Sequence, residues 1–262
     1  MRNWLVTGVS SGIGKALGQA ALDRGDVVIG TARSDADVAA FAALAPGRSH
    51  GVKLDVDRLE TIPAAVEQAI ALTGGIDIAV NNAGRSLFGA VEEVAVDEVR
   101  ALFETNFIGP LAVMQALLPH FRARGGGTFI SMSSGCGFYG TPGLGAYSAS
   151  KFALEGLSET LAAETAGFGI RMMIVEPGAI ASRFISHATG EAARRLPDYA
   201  FLSGSGKNAL NAYYETGAES AESVAEAVMA ALDQPELPQK LVLGRDNRAT
   251  IKAKLEAMQS LV

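Results

Sequence analysis

The sequence predicts an α/β fold in which a doubly wound parallel sheet of about seven strands carries helices on both faces. Three observations predict it. Short runs that are apolar on both faces recur along the chain, as strands buried between two helical layers require. Segments with helical spacing separate them, and such alternation closes into a parallel sheet through right-handed crossovers. A glycine-rich turn joins the first of these runs to the first of these segments.

Taken in order, the strand candidates are Trp4–Thr7, Val27–Ala32, Val52–Asp55, Ile76–Asn81, Thr128–Ser133, Arg171–Glu176 and Lys240–Leu243. The first helical segment, Gly14–Arg24, places Ala16, Leu17, Ala20 and Ala21 on one stripe. Asp97–Arg122 is long, and Pro110 and Pro119 should kink or divide it, because proline has no N–H and its ring meets the carbonyl four residues back. Tyr147–Gly167 sets Phe152, Leu154, Leu157 and Leu161 at helical intervals, and Ala221–Leu232 is a shorter amphipathic candidate. Ala179–Gly217 interrupts the alternation with Phe184, Tyr199, Phe201, Tyr213 and Tyr214 among Gly, Ser and Pro. A long irregular stretch in a compact domain is expected to be a lid. Residues 179–217 are therefore read as a substrate-covering segment of one catalytic domain spanning 1–262. The mixed-charge tail Arg245–Lys254 reads as an exposed helix face or a subunit contact, with no catalytic part.

Composition narrows the function. Residues of the apolar class make up 48% and charged residues 19%, which excludes intrinsic disorder. A net charge of −6 argues against a nucleic-acid or anionic-membrane surface. Cys136 is the single cysteine, so an intrachain disulfide and a multi-cysteine zinc site are excluded. His50, His120 and His187 do not cluster with acids, and no metal is expected. Met1–Thr7 lacks the pattern of a signal peptide, and no apolar run approaches the roughly 18 residues that span a bilayer. The expectation is a soluble, cytoplasmic protein with neither nucleic acid nor membrane as partner.

Thr7-Gly8-Val9-Ser10-Ser11-Gly12-Ile13-Gly14 follows the first strand and opens the first helix. Glycines there let the backbone turn sharply and approach a pyrophosphate, whose charge sits against free helix N–H groups. The spacing is G-x-x-x-G-x-G, and in this context the chain resembles the short-chain dehydrogenase/reductase family in its compact, single-domain, Rossmann-type form. At the end of the second strand an NAD binder wants a carboxylate for the adenosine ribose. The chain has Ala32 at that position and then Arg33, a guanidinium suited to a 2′-phosphate by charge and bidentate geometry. NADP(H) is therefore favoured over NAD(H); the alternative is that Arg33 is merely solvated and Asp35 or Asp37 serves the ribose. The resemblance further implies that Asp55 and Val56 contact the adenine. It implies that Asn82, Ala83 and Gly84 steady the sheet along the cofactor, and that Pro177, Gly178, Ile180 and Ser182 line the nicotinamide.

Tyr147 and Lys151 stand at i and i+4, on one face of a helix. Ser134 ends the fifth strand, and Asn106 lies in the long helix. In the resembled family, residues in these four places form the catalytic tetrad. The residue types suit carbonyl reduction. A phenol near its reference pKa of 10 is scarcely available as a base at neutral pH, and a nearby ammonium favours the phenolate. Lowering by two or three units corresponds to roughly 3–4 kcal/mol, within reach of one close, partly desolvated cation. Tyr147 would then act as general acid in reduction and base in oxidation. Ser134 would hold the substrate oxygen. Lys151 would also hold the nicotinamide ribose, and Asn106 would anchor a water leading to solvent. Ser133 competes with Ser134 for the serine role, since neighbouring strand residues face opposite ways.

The expected protein is an NADP(H)-dependent oxidoreductase interconverting a carbonyl and a secondary alcohol. Its substrate would be small, bulky and apolar, and the resemblance implies a homodimer or homotetramer formed through the helices of Asn106 and Tyr147. Two rivals stay open: a non-catalytic nucleotide sensor, since fold does not imply turnover, and an epimerase or lyase that uses the cofactor transiently.

Overall fold

A computed structural model describes residues 1–181, 189–202 and 219–260. Its strands are β1 (Asn3–Thr7), β2 (Val27–Ala32), β3 (Ser49–Lys53), β4 (Ile78–Asn81), β5 (Ser86–Phe88), β6 (Gly127–Met132), β7 (Ile170–Glu176), β8 (Ile180–Ala181), β9 (Thr189–Glu191), β10 (Glu219–Ser220) and β11 (Lys240–Val242). Its helices are α1 (Gly12–Asp23), α2 (Asp35–Ala42), α3 (Ile62–Thr73), α4 (Val96–Phe103), α5 (Gly109–Arg124), α6 (Gly145–Thr165), α7 (Ala221–Leu232) and α8 (Arg245–Gln259). Seven strands form one parallel sheet in the order β3-β2-β1-β4-β6-β7-β11. Trp4 pairs with Val28 on one side and Ile78 on the other, so β1 is central and the strand order reverses beside it. Ligands bind outside the strand ends at such a switch.

The strand period of two sorts the core onto both faces. Trp4 and Val6 pack with Leu17 and Leu22 of α1 and Val224 and Val228 of α7. Leu5, between them in sequence, points the other way and packs with Val66 of α3, Leu117 and Phe121 of α5 and Leu154 of α6. Each fully buried side chain of this size is worth about 1.5–3 kcal/mol. Trp4 also donates its indole N–H to Asp26 (3.0 Å), which satisfies the indole within the apolar layer. The crossovers α2 and α3 are helices beyond those expected; α2 buries only Phe41, whereas α3 buries Ile62, Ala65, Val66 and Ala69 at helical spacing. Ser34 starts α2 by accepting the Asp37 N–H (3.1 Å), and Gly74, at φ 73°, ends α3.

Val96–Arg124 is one continuous helix of 29 residues. Pro119 does not divide it. The irregularity lies instead at a π-turn, Glu104–Ile108, where the Gly109 N–H reaches five residues back to Glu104. Pro110 supplies the reason: it has no N–H for the carbonyl of Asn106 four residues earlier, and its ring would collide with that carbonyl in a regular turn. By length and composition this helix could cross a bilayer, although the sequence was expected to hold no such segment. In the fold Val113, Met114, Leu117 and Phe121 of α5 are buried against the sheet. Within the expected covering segment 179–217, β8 pairs with β10 and β9 with β5, both parallel. Its residues 182–188 and 203–217 lie outside the described residues.

Candidate active site

A cleft of about 800 Å³ opens at the C-terminal ends of β1, β2, β4, β6 and β7. Of the residues predicted from sequence, it gathers Gly8, Ser10, Ser11, Gly12, Ile13, Arg33, Asp55, Val56, Asn82, Ala83, Gly84, Ser134, Tyr147, Lys151, Pro177, Gly178 and Ile180. Gly14 and Asn106 are buried behind its wall. Ser182 lies outside the described residues.

At one end the backbone is shaped for close approach. Gly8 (φ 76°) and Gly12 (φ 57°) take the left-handed conformation that favours glycine. A Cβ on Gly14 would overlap Asn82 Nδ2 and the Gly8 carbonyl, so this glycine serves packing of α1 against the loop. Ser11 is the N-cap of α1 but makes no side-chain cap bond, and the first turn holds no acid. That end of the helix suits an anion. Asn82 joins β4 to the loop by donating Nδ2 to the carbonyls of Thr7 (2.8 Å) and Gly8 (3.1 Å). Thr7 Oγ1 accepts in return from the N–H groups of Asn82 (2.9 Å) and Ala83 (3.1 Å). These features fit a dinucleotide: left-handed glycines, a turn with no room for side chains, and an acid-free helix start.

Beyond the tip of β2, Ala32 is buried and Arg33 is exposed on the cleft. The two acids that might have replaced Arg33 are engaged elsewhere. Asp35 pairs with Lys53 (2.9 Å), and Asp37 accepts from the Ser34 hydroxyl (2.6 Å) at the start of α2. Neither lines the cleft. Asp57 does, beside Asp55, whose Oδ1 accepts the Asp57 N–H at 3.2 Å. No pattern in the sequence singled it out.

At the other end, α6 presents Tyr147 and Lys151 to the cleft, 8% and 5% exposed. Lys151 Nζ stands 5.8 Å from the centre of the Tyr147 ring and donates to the Met132 carbonyl (2.7 Å). Burial draws the Lys151 ammonium down to about 8, against the pull of the Glu155 charge. Both Ser133 and Ser134 line the cleft, and they differ in exposure and in partners. Ser133 is buried with Oγ toward Gly137 and Glu155, where a Cβ on Gly137 would stand 2.5 Å from it. Ser134 is half-buried on the cleft, and its Oγ accepts the Cys136 N–H (3.2 Å).

Asn106 reaches this cluster from the π-turn. Its Nδ2 donates to the Arg85 carbonyl (2.8 Å) and to Ser150 Oγ (3.0 Å), and its Oδ1 accepts the Arg85 N–H (2.9 Å). A Cβ on Gly84 would stand 3.3 Å from Asn106 Oδ1 and 3.7 Å from Lys151 Nζ, so both side chains meet the same glycine. Arg85, on the loop after β4, donates to the Ala101 carbonyl and lines the cleft.

Behind α6, Lys240 meets three carboxylates, at 2.7 Å from Glu155, 2.8 Å from Glu159 and 3.3 Å from Glu176. Burial raises the Glu176 carboxyl above its ordinary range, and the Glu155 charge adds to that. Burial works against the Lys240 charge, but its hydrogen bonds to Glu155 and Glu159 hold the ammonium well above its usual value. The cluster joins three elements distant in sequence, which is why pattern reading missed it.

Comparison with known proteins agrees with the fold. The family model described as short chain dehydrogenase matches residues 2–192. Oxidoreductase BOA17 of Botryotinia fuckeliana is 34% identical over 246 residues, 93% of this chain and 89% of that one. A 3-ketodihydrosphingosine reductase of Bacteroides thetaiotaomicron is 38% identical over 192 residues, 71% of this chain and 69% of that one. Among solved structures, a short-chain dehydrogenase from Streptomyces avermitilis superposes with a TM-score of 0.90 at 39% identity, covering 99% of this chain and 95% of the other. The chain belongs to the short-chain dehydrogenase/reductase family, a family of oxidoreductases that use a nicotinamide cofactor.

Proposed function

We propose that this protein is an NADP(H)-dependent oxidoreductase interconverting a carbonyl and a secondary alcohol. The observation that carries the reading is the single cleft shared by the Gly8–Gly14 turn, Ser134, Tyr147 and Lys151. Ser10, Ser11, Gly12 and Ile13 would hold the pyrophosphate, Asp55 and Val56 the adenine, and Pro177, Gly178, Ile180 and Ser182 the nicotinamide. Arg33 would meet the 2′-phosphate; its exposure on the cleft and the engagement of Asp35 and Asp37 elsewhere support NADP(H) over NAD(H). When bound, the cofactor supplies or takes the hydride at the carbonyl carbon.

The protein's own part is the proton and the geometry. Ser134 Oγ donates to the substrate oxygen and fixes it beside Tyr147, which gives its phenolic proton in reduction and takes one back in oxidation. Lys151 stabilises the phenolate by its charge and binds the nicotinamide ribose. Asn106 holds the loop at Arg85 and helix α6 at Ser150 in register around Lys151, and anchors the water through which protons reach solvent.

The substrate is a small carbonyl compound with a bulky apolar body. Leu87 and Leu102 on the cleft support that, as does the likeness to a reductase named for 3-ketodihydrosphingosine. The protein would work as a homodimer or homotetramer. The test is a screen of NADPH and NADH consumption over ketones, aldehydes, steroids and quinones. Turnover of at least one class, lost in Tyr147→Phe, is the expected result; turnover that survives in Tyr147→Phe defeats the assignment.

A further inference from the structure

Asn247 belongs to α8, within the tail to which the sequence assigned no catalytic part, and it is 1% exposed. Its Nδ2 donates to the carbonyls of Glu176 (2.8 Å) and Leu243 (3.0 Å), and its Oδ1 accepts from the Tyr139 hydroxyl (3.1 Å). Both amide hydrogens and the carbonyl are thereby used. The slot around it exists because glycines line it. A Cβ on Gly135 would overlap Asn247 Oδ1, and Cβ atoms on Gly178 and Gly244 would stand 3.2 and 3.5 Å from the Asn247 Cβ.

Two of these glycines adjoin the cleft. Gly135 follows Ser134, Gly178 follows Pro177, and the Gly135 N–H donates to the Pro177 carbonyl (2.9 Å). Tyr139 lies on the same loop as Ser134, and Glu176 immediately precedes Pro177. One buried amide therefore bonds or abuts both segments that the cleft needs, without lining the cleft itself. A second contact from α8 acts on the same loop: Lys254 Nζ donates to the Phe138 carbonyl (2.6 Å). A fully satisfied buried polar group specifies one arrangement, whereas an apolar side chain of the same size would fill the slot without choosing one.

We propose that Asn247 is a positioning residue. It locks the Ser134 loop to the Pro177–Gly178 turn, so that the Ser134 hydroxyl is held at a fixed distance from Tyr147 on the facing helix. This rests on the roles given above to Ser134 and Tyr147, and it makes α8 a structural part of the reacting end of the cleft.

The test uses Asn247→Asp, which keeps the shape but cannot donate to the Glu176 and Leu243 carbonyls, and Tyr139→Phe, which removes the hydroxyl from which Asn247 Oδ1 accepts. For each variant kcat and KM are measured well below its melting temperature, with a carbonyl the wild type reduces, alongside the Kd for NADPH by fluorescence. Asn247→Asp is expected to lower kcat by about ten- to a hundredfold, the scale of a small misplacement of reacting groups. KM and Kd for NADPH should stay within about threefold, because uniform binding is not what is lost. Tyr139→Phe should lower kcat by about threefold with little change in melting temperature. The proposal stands on the loss of kcat in Asn247→Asp or, where that variant does not fold, in Tyr139→Phe. Wild-type kcat in that same variant overturns it. Tyr147→Phe separates the two layers. An inactive Tyr147→Phe beside an unaffected Asn247→Asp overturns the positioning role alone, and an active Tyr147→Phe overturns both.

Discussion

Lys151 on α6 donates its 2.7 Å hydrogen bond to the carbonyl of Met132, the last residue of β6. The ammonium is thus pinned to the strand that leads into Ser134. Helix α6 brings Tyr147 and Lys151 to one face, and this bond fixes how that face meets the serine.

The first prediction concerns the phenol. Tyr147→Phe should lower kcat by at least about a hundredfold, the scale of a lost general acid. Its affinity for NADPH should stay near that of the wild type, as measured by fluorescence titration. A variant that no longer binds NADPH would show that the ring serves cofactor binding instead.

Arg33→Asp should move the ratio of kcat/KM for NADPH over NADH toward NADH by about ten- to a hundredfold, the worth of charge-assisted hydrogen bonds to a phosphate. Steady-state kinetics with both cofactors measure this directly. An unchanged ratio would make Arg33 a bystander.

Burial sets a pH dependence at Lys151. Its folded value of about 8 lies below the unfolded value near 10.4, so the unfolded chain binds more protons between them. The stability linked to this residue is therefore fully present above about 10.4 and is lost as the pH falls through about 8. Wild type should gain stability relative to Lys151→Met as the pH rises across that interval, without cofactor. Parallel urea denaturation at pH 7.5, 8.5 and 9.5 tests it, and a constant difference would mean that Lys151 is not desolvated.

Lys240→Met should destabilise the fold by on the order of 3 kcal/mol, because it strands Glu155 and Glu176 without their cation. Their side chains are 7% and 1% exposed. Burial already raises the Glu176 carboxyl, and lowering the pH neutralises it, so the penalty should shrink in acid. Urea melts at pH 7 and pH 5.5 would reveal this, and equal penalties at both would place the cost elsewhere.

The fold was legible because strands buried on both faces read as apolar runs, and β2, β6 and β7 fall within about a residue of their expected limits. Tyr147, Lys151 and Gly8–Gly14 were legible because each depends on local spacing. What escaped depends on contacts between distant segments. Asp57 lines the cleft by the path of the loop after β3, Lys240 closes on α6 across 85 residues, and Asn247 looked like part of a charged surface. A disturbance of the long helix at Pro110 was legible from the sequence, whereas Pro119 sits inside α5 without dividing it. The form of the disturbance was not, because a proline near a helix start can either break a turn or widen it.

The widened turn at Glu104–Ile108 acts as a one-residue insertion between two otherwise regular helices. It offsets their faces by about 100°, the angular step of one residue. Deleting a single residue there would remove that offset, and Pro110 would still bar a regular turn. The deletion would swing Asn106 away from Arg85 and Ser150. Apart from Asn106, the stretch should therefore tolerate changes of side chain better than changes of length.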